Sequence, residues 1–579
     1  MLEKILAARL TLFLEARGIF DANQEGFTAN RNTIRYLNRL HLEIKSDILE
    51  NKAVMGLFID FEKAFDSVWK KGLLYKMFNL EINGNVLRII DNFLHTRKVQ
   101  LDVNGNVGDL RNSNQYGLPQ GSALSPVLFK IYLLDILDQY NSETNIRLFK
   151  FADDGTVKVT ADSTNQCLNS LKSVLDSIQE WTMKWRMVVN CDTNKTEFIV
   201  FGTADDNAPD IPNSINLGRK EIKRVTTTKV LGLTIDENLT YEPHSKKVNQ
   251  KICGSWVSMC EHTNRNYGFN QRVITQITKT YFLSSAHYAG LIWQNSKSLK
   301  ELQNIWYKII KSAVGAVFNV RQSLLEVILG LPPLDLQNLM NKIKHFLKLN
   351  IRPAKEDKLR EFIQQCLSNR HSVPVELREA MKEVYKFLKW KLQHYAKDFN
   401  ENDINIIQSL DYSQYFLLSS KSCKYTKQAI ALYLESLWHK KLKNEFLTEG
   451  IQHPPKPSCK NLPIPRNTPR KDEVLLMSLM YPNNLFNDFL WRHTYQVQSP
   501  LCQKCNLQEE TPYHIIFQCS NRSNDAKTML RKILSEDEIS QEDSITILNG
   551  SRQENFIKLC LEILSVGNYR EEIVLGITV

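Results

Sequence analysis

Nowhere in this chain do apolar residues run for the ~18 positions that a membrane-spanning helix needs. No basic stretch followed by an apolar core opens it either, because Met1 to Leu14 is amphipathic and of mixed charge. An intracellular protein of the nucleus or cytoplasm, with no membrane partner, is the expectation. Paired cysteines are also scarce. The count of 11 is odd, and Cys167, Cys191, Cys253, Cys260, Cys366, Cys423, Cys459 and Cys560 stand isolated, which reads as reduced thiols rather than a disulfide framework. Fixed-period repeats and long low-complexity tracts are absent, which excludes solenoids and fibrous arrays.

What is present is ordinary globular composition, 42% apolar and 24% charged. At 579 residues the chain is long enough for roughly three or four domains and needs no disulfides to hold a core. Lys and Arg exceed Asp and Glu by 74 to 63, a net +11 that suits a polyanionic partner without demanding one.

Residues 1–50 read as helical, with Leu2, Ile5, Leu6, Leu10 and Phe13 at helical spacing and a break near Gly26. Ala53 to Ile59 is an unbroken apolar strand, AVMGLFI, ending on Asp60; a strand without alternation is covered on both faces. A hairpin is expected over Ile146 to Val159, with Asp154-Gly155 as its turn. After Asp162 and Ser163, suited to capping, Leu168, Leu171, Leu175, Ile178, Trp181 and Trp185 line one side of a helix. Strands are expected around Glu197–Phe201 and Val230–Ile235. Residues 243–450 are mainly helical and Lys-rich, and six prolines mark a linker at 454–469.

Asp60 at a strand end and Asp153-Asp154 at a hairpin turn suggest a specific chemistry. In-line displacement at a phosphate uses two metal ions about 3.5–4 Å apart. Magnesium takes hard oxygen ligands, a few carboxylates together with substrate phosphates. Acids presented from different strands meet that need, although an Asp at a strand end and an Asp-Gly turn are each commonplace.

The surrounding residues are far more specific. FIDFEKAFDSV (58–68), YGLPQGSALSPVLF (116–129) and FADD (151–154) follow QEGFTANRNT (24–33) and precede NCDTNKTEFIVF (190–201) and KVLGLTIDENLTYEPH (229–244). In order and spacing these resemble the motifs of reverse transcriptases of non-LTR retrotransposons, closest to jockey-like elements, over about residues 1–300. The resemblance implies an α+β right-hand polymerase: partial fingers at 1–52, a palm with an antiparallel sheet at 53–242 and a helical thumb at 243–345. A helical region without an assigned role (346–450), a Pro-rich linker (451–475), a zinc-binding module (476–530) and a tail (531–579) would follow.

By the same resemblance Asp60, Asp153 and Asp154 would hold Mg2+ (or Mn2+). Phe65 would be the bulky gate against a ribose 2′-OH, and Gln120 and Gly121 would meet the incoming nucleotide and template. Ala152 would be the small residue beside the primer end, and Lys195 would sit near the triphosphate. Leu231 to Ile235 would be the strand gripping the primer. Lys246, Lys247, Lys251, Arg265 and Arg272 are expected to contact phosphates. Glu62, Lys63, Asp66, Asp135 and Asp236 read as helix or turn residues outside the metal set. Cys502, Cys505, His514 and Cys519, in the pattern C-x2-C-x8-H-x4-C, suit tetrahedral structural Zn2+.

The implied function is RNA-directed DNA polymerisation, with RNA template, DNA primer and dNTPs as partners. FADD and Phe65 speak against an RNA-dependent RNA polymerase. The basic fingers hairpin and the endonuclease that precede these motifs in the family are not in the sequence, and Thr28 stands where the family tends to carry Arg. The expectation is an intact metal site with impaired or absent polymerase activity, the alternative being a catalytically impaired or inactive remnant that acts only by binding nucleic acid.

Overall fold

The apolar run Ala53–Ile59 is β1, the strand around which a six-stranded sheet is assembled. In the computed structural model of the chain, β2 (Ile146–Phe151) and β3 (Asp154–Ala161) form a hairpin on one side of it. Across its other edge lie β4 (Glu197–Phe201), β5 (Ser214–Leu217) and β6 (Lys220–Arg224), giving the order β2-β3-β1-β4-β6-β5. All pairings are antiparallel except that of β6 with β4. The structure describes residues 1–447, apart from 20–21, 113–115, 141–144, 203–210, 264–267, 316–319, 352, 354–356 and 370–372; beyond them it describes Leu501, Leu507, Gln508 and His514.

Both faces of β1 are covered, which is why its sequence does not alternate. Met55, Leu57 and Ile59 join one cluster with Leu10 and Leu14 of α1 (Leu2–Ala16), Leu171, Val174 and Ile178 of a long helix, α4 (Thr164–Trp185), and Leu128 and Phe129 of α3 (Ser125–Tyr132). The intervening side chains of β1 turn to the opposite face, where α2 (Thr33–Leu49) lies. There the Tyr36 ring meets Phe149 edge-on at 5.9 Å, and its hydroxyl donates to Thr156 Oγ1 at 2.6 Å. Lys158 Nζ sits between Glu43 (3.2 Å) and Asp47 (2.5 Å). Each fully buried apolar side chain of β1 is worth about 1.5–3 kcal/mol over leaving it in water. Helix ends follow local chemistry. Ser163 caps α4, its hydroxyl accepting the Gln166 N–H, and Asn32 caps α2, accepting from Arg35.

Two expectations are corrected. The β2–β3 turn is Ala152-Asp153, not Asp154-Gly155, because Phe151 pairs with Asp154 and Gly155 already lies in β3 opposite Lys150. The segment Val230–Ile235 is not one strand. It is the end of β7 (Thr227–Val230), a turn at Leu231-Gly232, and the start of β8 (Leu233–Asp236). Both turn residues have positive φ, +45° and +88°, the pattern a tight two-residue hairpin requires. Asp236, expected in a turn, is the last residue of β8, and its carboxylate accepts from Thr240 and Tyr241 in the turn that follows. Asp135 lies just past α3, where it pairs with Lys76 and accepts the Trp181 indole N–H at 2.7 Å.

The chain divides into two units. One holds residues 1–244 with 345–424, the other 245–344 with 425 onward. In the first, α5 (Lys358–Ser368) packs on α2, and Asp357 forms a buried ion pair with Arg35. Helix α6 (Val375–His394) buries Leu377, Met381, Val384 and Leu388. The second unit is helical through its described residues 245–344 and 427–447; within it Trp306 Nε1 donates to Glu326 Oε1 at 2.9 Å.

Candidate active site

Register brings the acids together. Ile59 lies opposite Gly155, so the chain leaves the sheet with Asp60 next to Asp154 on the neighbouring strand. Asp153 occupies the adjoining turn. Ala152, the first turn residue, is left-handed at φ +56°, a conformation that costs a non-glycine residue about 1–2 kcal/mol. A two-residue hairpin needs positive φ there, and a small side chain keeps the turn compact.

The electrostatics reflect crowding of like charge. Burial, then the charges of Asp153 and Asp60, push the Asp154 carboxyl up to about 6, while Lys195 opposes the shift. Lys195 Nζ lies 3.4 Å from Asp60 Oδ2, which also accepts from Asn190 Nδ2 at 3.2 Å. The segment 190–196 is laced to Asp60 through its backbone: Asn190 N–H donates to Asp60 O at 2.9 Å, and Asp60 N–H to Thr196 Oγ1 at 3.2 Å.

Among the described residues no group of three or more His, Cys, Asp or Glu is arranged to hold a metal ion by itself. The donor chemistry still fits magnesium. That ion is ordinarily held by one or two carboxylates with water and substrate phosphates, not by an all-protein shell. Clustered carboxylates, one with a raised pKa and one facing an ammonium group, form a site with negative charge in excess.

Phe65, on the short helix Ala64–Ser67, stacks on Phe129 with centroids 4.4 Å apart and an interplanar angle of 14°. The Phe27 ring meets it edge-on at 6.4 Å. Backbone bonds tie Phe65 to the LPQG turn, Leu118 N–H donating to Phe65 O at 2.9 Å and Gly117 N–H to Val68 O at 2.8 Å. Gln120 is exposed, with Nε2 3.4 Å from Asp66 Oδ1. Gly121 has φ +87° and open space where a Cβ would go, so glycine is needed there for conformation, not for room. Glu62 pairs with Lys220 at 2.9 Å.

Gln24 and Asn190 also shape the site, and sequence reasoning did not single them out. Both lie inside quoted motifs, but nothing in a linear pattern shows that Gln24 Oε1 accepts the Ala152 N–H at 3.0 Å. Lys246, Lys247, Lys251 and Arg272 are exposed on helices of residues 242–277; Arg265 lies outside the described residues. So do Cys502, Cys505 and Cys519. His514 is buried, its Nδ1 2.7 Å from Gln508 Oε1.

Residues 1–235 match the protein family described as reverse transcriptase (RNA-dependent DNA polymerase). The RNA-directed DNA polymerase of the mobile element jockey from Drosophila melanogaster is 24% identical over 365 residues, 61% of this chain and 38% of the relative. Its counterpart from Drosophila funebris is 29% identical over 252 residues, 42% and 26%. The Pol polyprotein of the type-1 retrotransposable element R1 from Bradysia coprophila is 25% identical over 313 residues, 53% and 30%. This chain thus spans well under half the length of these relatives. Among solved structures, Candida albicans telomerase with a fragment of telomeric RNA aligns over 70% of this chain and 58% of that one, at 10% identity and TM-score 0.33, too distant a likeness to bear on the assignment. Ordered motifs and the sheet they build agree with the family match: the first 235 residues form a reverse-transcriptase domain, similar to the polymerases of these mobile elements.

Proposed function

We propose that the chain catalyses RNA-directed DNA polymerisation, copying an RNA template onto a DNA primer from dNTPs. The observation that carries this reading is the pairing of Ile59 with Gly155, which sets Asp60 beside Asp154 and the Asp153 turn. Magnesium or manganese ions held by Asp60, Asp153 and Asp154 would activate the primer hydroxyl and stabilise the leaving pyrophosphate. Lys195, 3.4 Å from Asp60, would neutralise charge developing on the triphosphate or give its proton to the pyrophosphate. Phe65, held flat against Phe129, presents a fixed wall where a ribose 2′-OH would stand. Gln120 and Gly121 offer an exposed amide and approachable backbone to nucleotide and template. The small Ala152 leaves room for the primer end. The exposed Lys246, Lys247, Lys251 and Arg272 suit the duplex backbone, and their contacts would weaken steeply with salt.

Template-dependent dNTP incorporation by this chain tests the reading, beside Asp153→Asn and Asp154→Asn. Incorporation that survives both substitutions, or none by the parent chain, rejects it; nucleic-acid binding without incorporation would leave the inactive-remnant reading.

The spacing of Cys502, Cys505, His514 and Cys519 supports a structural zinc site, tested by the metal content of the whole chain.

A further inference from the structure

Strand β2 is the edge of the sheet, so its outer backbone groups have no ladder partner within it. The segment 23–26 covers that edge. Lys150 N–H donates to Asn23 O at 3.1 Å, Glu25 N–H donates to Lys150 O at 2.7 Å, and Gln24 bridges Lys150 in parallel register. One residue past the end of β2 the cover changes from backbone to side chain. Gln24, 4% exposed, aims Oε1 at two amides and accepts from Gly26 N–H and Ala152 N–H, each at 3.0 Å. Contact with the turn is so close that a Cβ on Gly26 would stand 2.3 Å from Ala152 N.

Gln24 is itself held from behind. Its carbonyl accepts from Thr28 Oγ1 at 3.0 Å and Arg31 Nη1 at 3.2 Å, and Lys130 Nζ donates to Thr28 Oγ1 at 3.0 Å. Next to it the buried Glu25 faces Arg35 at 3.7 Å, and Arg35 pairs with Asp357. Contacts thus run from the segment after residue 345 to the turn that carries Asp153.

We propose that Gln24 is a positioning residue for the carboxylate pair: by holding the Ala152 amide it keeps that residue left-handed and so fixes where Asp153 and Asp154 point. A left-handed alanine persists only where its surroundings over-determine it, and this amide is the grip on it from outside the hairpin. The effect on catalysis rests on the polymerase reading; the grip on the turn does not.

Amide hydrogen exchange on the full, metal-free chain reads the grip directly. Gln24→Met keeps the volume and removes the acceptor, and Gln24→Glu keeps an acceptor oxygen at the same reach. The Met variant should exchange the Ala152 amide roughly tenfold faster, with Val54 to Phe58 of β1 unchanged as a control for folding. The Glu variant should retain protection, and Gly26→Ala, which pushes the segment away with Gln24 intact, should lose it. In single-nucleotide incorporation the Met variant should lose ~10–100-fold in kcat with dNTP KM within about threefold, as displaced catalytic groups do. Unchanged exchange at Ala152 in the Met variant, or equal loss in Met and Glu, overturns the proposal. A parent chain without incorporation rejects the polymerase reading alone, and exchange still decides the grip.

Discussion

Replacing Asp154 by Asn should make the metal-free protein more stable while removing its proposed chemistry. The Asp154 carboxyl is raised from 3.8 to about 6, with burial the first cause and the charges of Asp153 and Asp60 next. A carboxyl whose folded pKa lies above its unfolded value binds more protons when folded. Stability therefore falls as pH rises from about 3.8 to about 6 and stays lower above that. A shift of about two units corresponds to about 3 kcal/mol at ~1.4 kcal/mol per unit. Asp154 is only partly buried, and screening by solvent reduces this to about 1–2 kcal/mol. Asn has nearly the same shape and no charge, so the variant should gain that amount at pH 8 and only a small part of it at pH 4. Denaturant unfolding in chelator at both pH values measures it. Added Mg2+ should narrow the gap from the other side, since an ion bound by the folded state alone stabilises the parent by mass action. A variant no more stable than the parent at pH 8, or a gain that persists in full at pH 4, would refute the account of crowded like charges.

Phe65→Val should open the space beside Phe129 and lower discrimination of dNTP over rNTP by at least ~10-fold in competition assays; unchanged selectivity removes Phe65 from the gate role. Asp357→Ala should cost about 1–3 kcal/mol, because the buried Arg35 loses its nearer carboxylate but still faces Glu25 at 3.7 Å, and it also removes the cap of α5. Arg35→Met with Asp357→Asn, which keeps that cap, should recover part of the loss in denaturant unfolding; a single variant as stable as the parent contradicts the pairing. The whole chain should contain about one zinc per molecule by elemental analysis, lost on Cys502→Ser with Cys519→Ser; stoichiometric zinc in that double variant rejects the ligand set.

Much of the six-stranded sheet and its helices was legible because their signals are local. AVMGLFI announces a strand buried on both faces, and Ser163 before an amphipathic run announces a helix start. The Asp-Gly pair misled by two residues. Dipeptide preference gives way where the register of β2 and β3, fixed by packing against β1 and α2, pairs Phe151 with Asp154 and makes Ala152 the left-handed residue. Leu231-Gly232 was missed as a turn because leucine seldom takes positive φ and reads as strand.

The sequence by itself determined which groups are present and in what order: the acids at positions 60, 153 and 154, the gate candidate Phe65, Lys195 in its loop, and the family of residues 1–235. Motif order survives in a linear string because each motif is a short local structure around its own chemistry. Only the tertiary structure decided that Asn190 donates to Asp60, that Gln24 holds the Ala152 amide, and that Asp357 pairs with Arg35. Each joins residues far apart in the chain. Hydrophobic periodicity records which face of an element is buried, but not which polar group from another element meets it there.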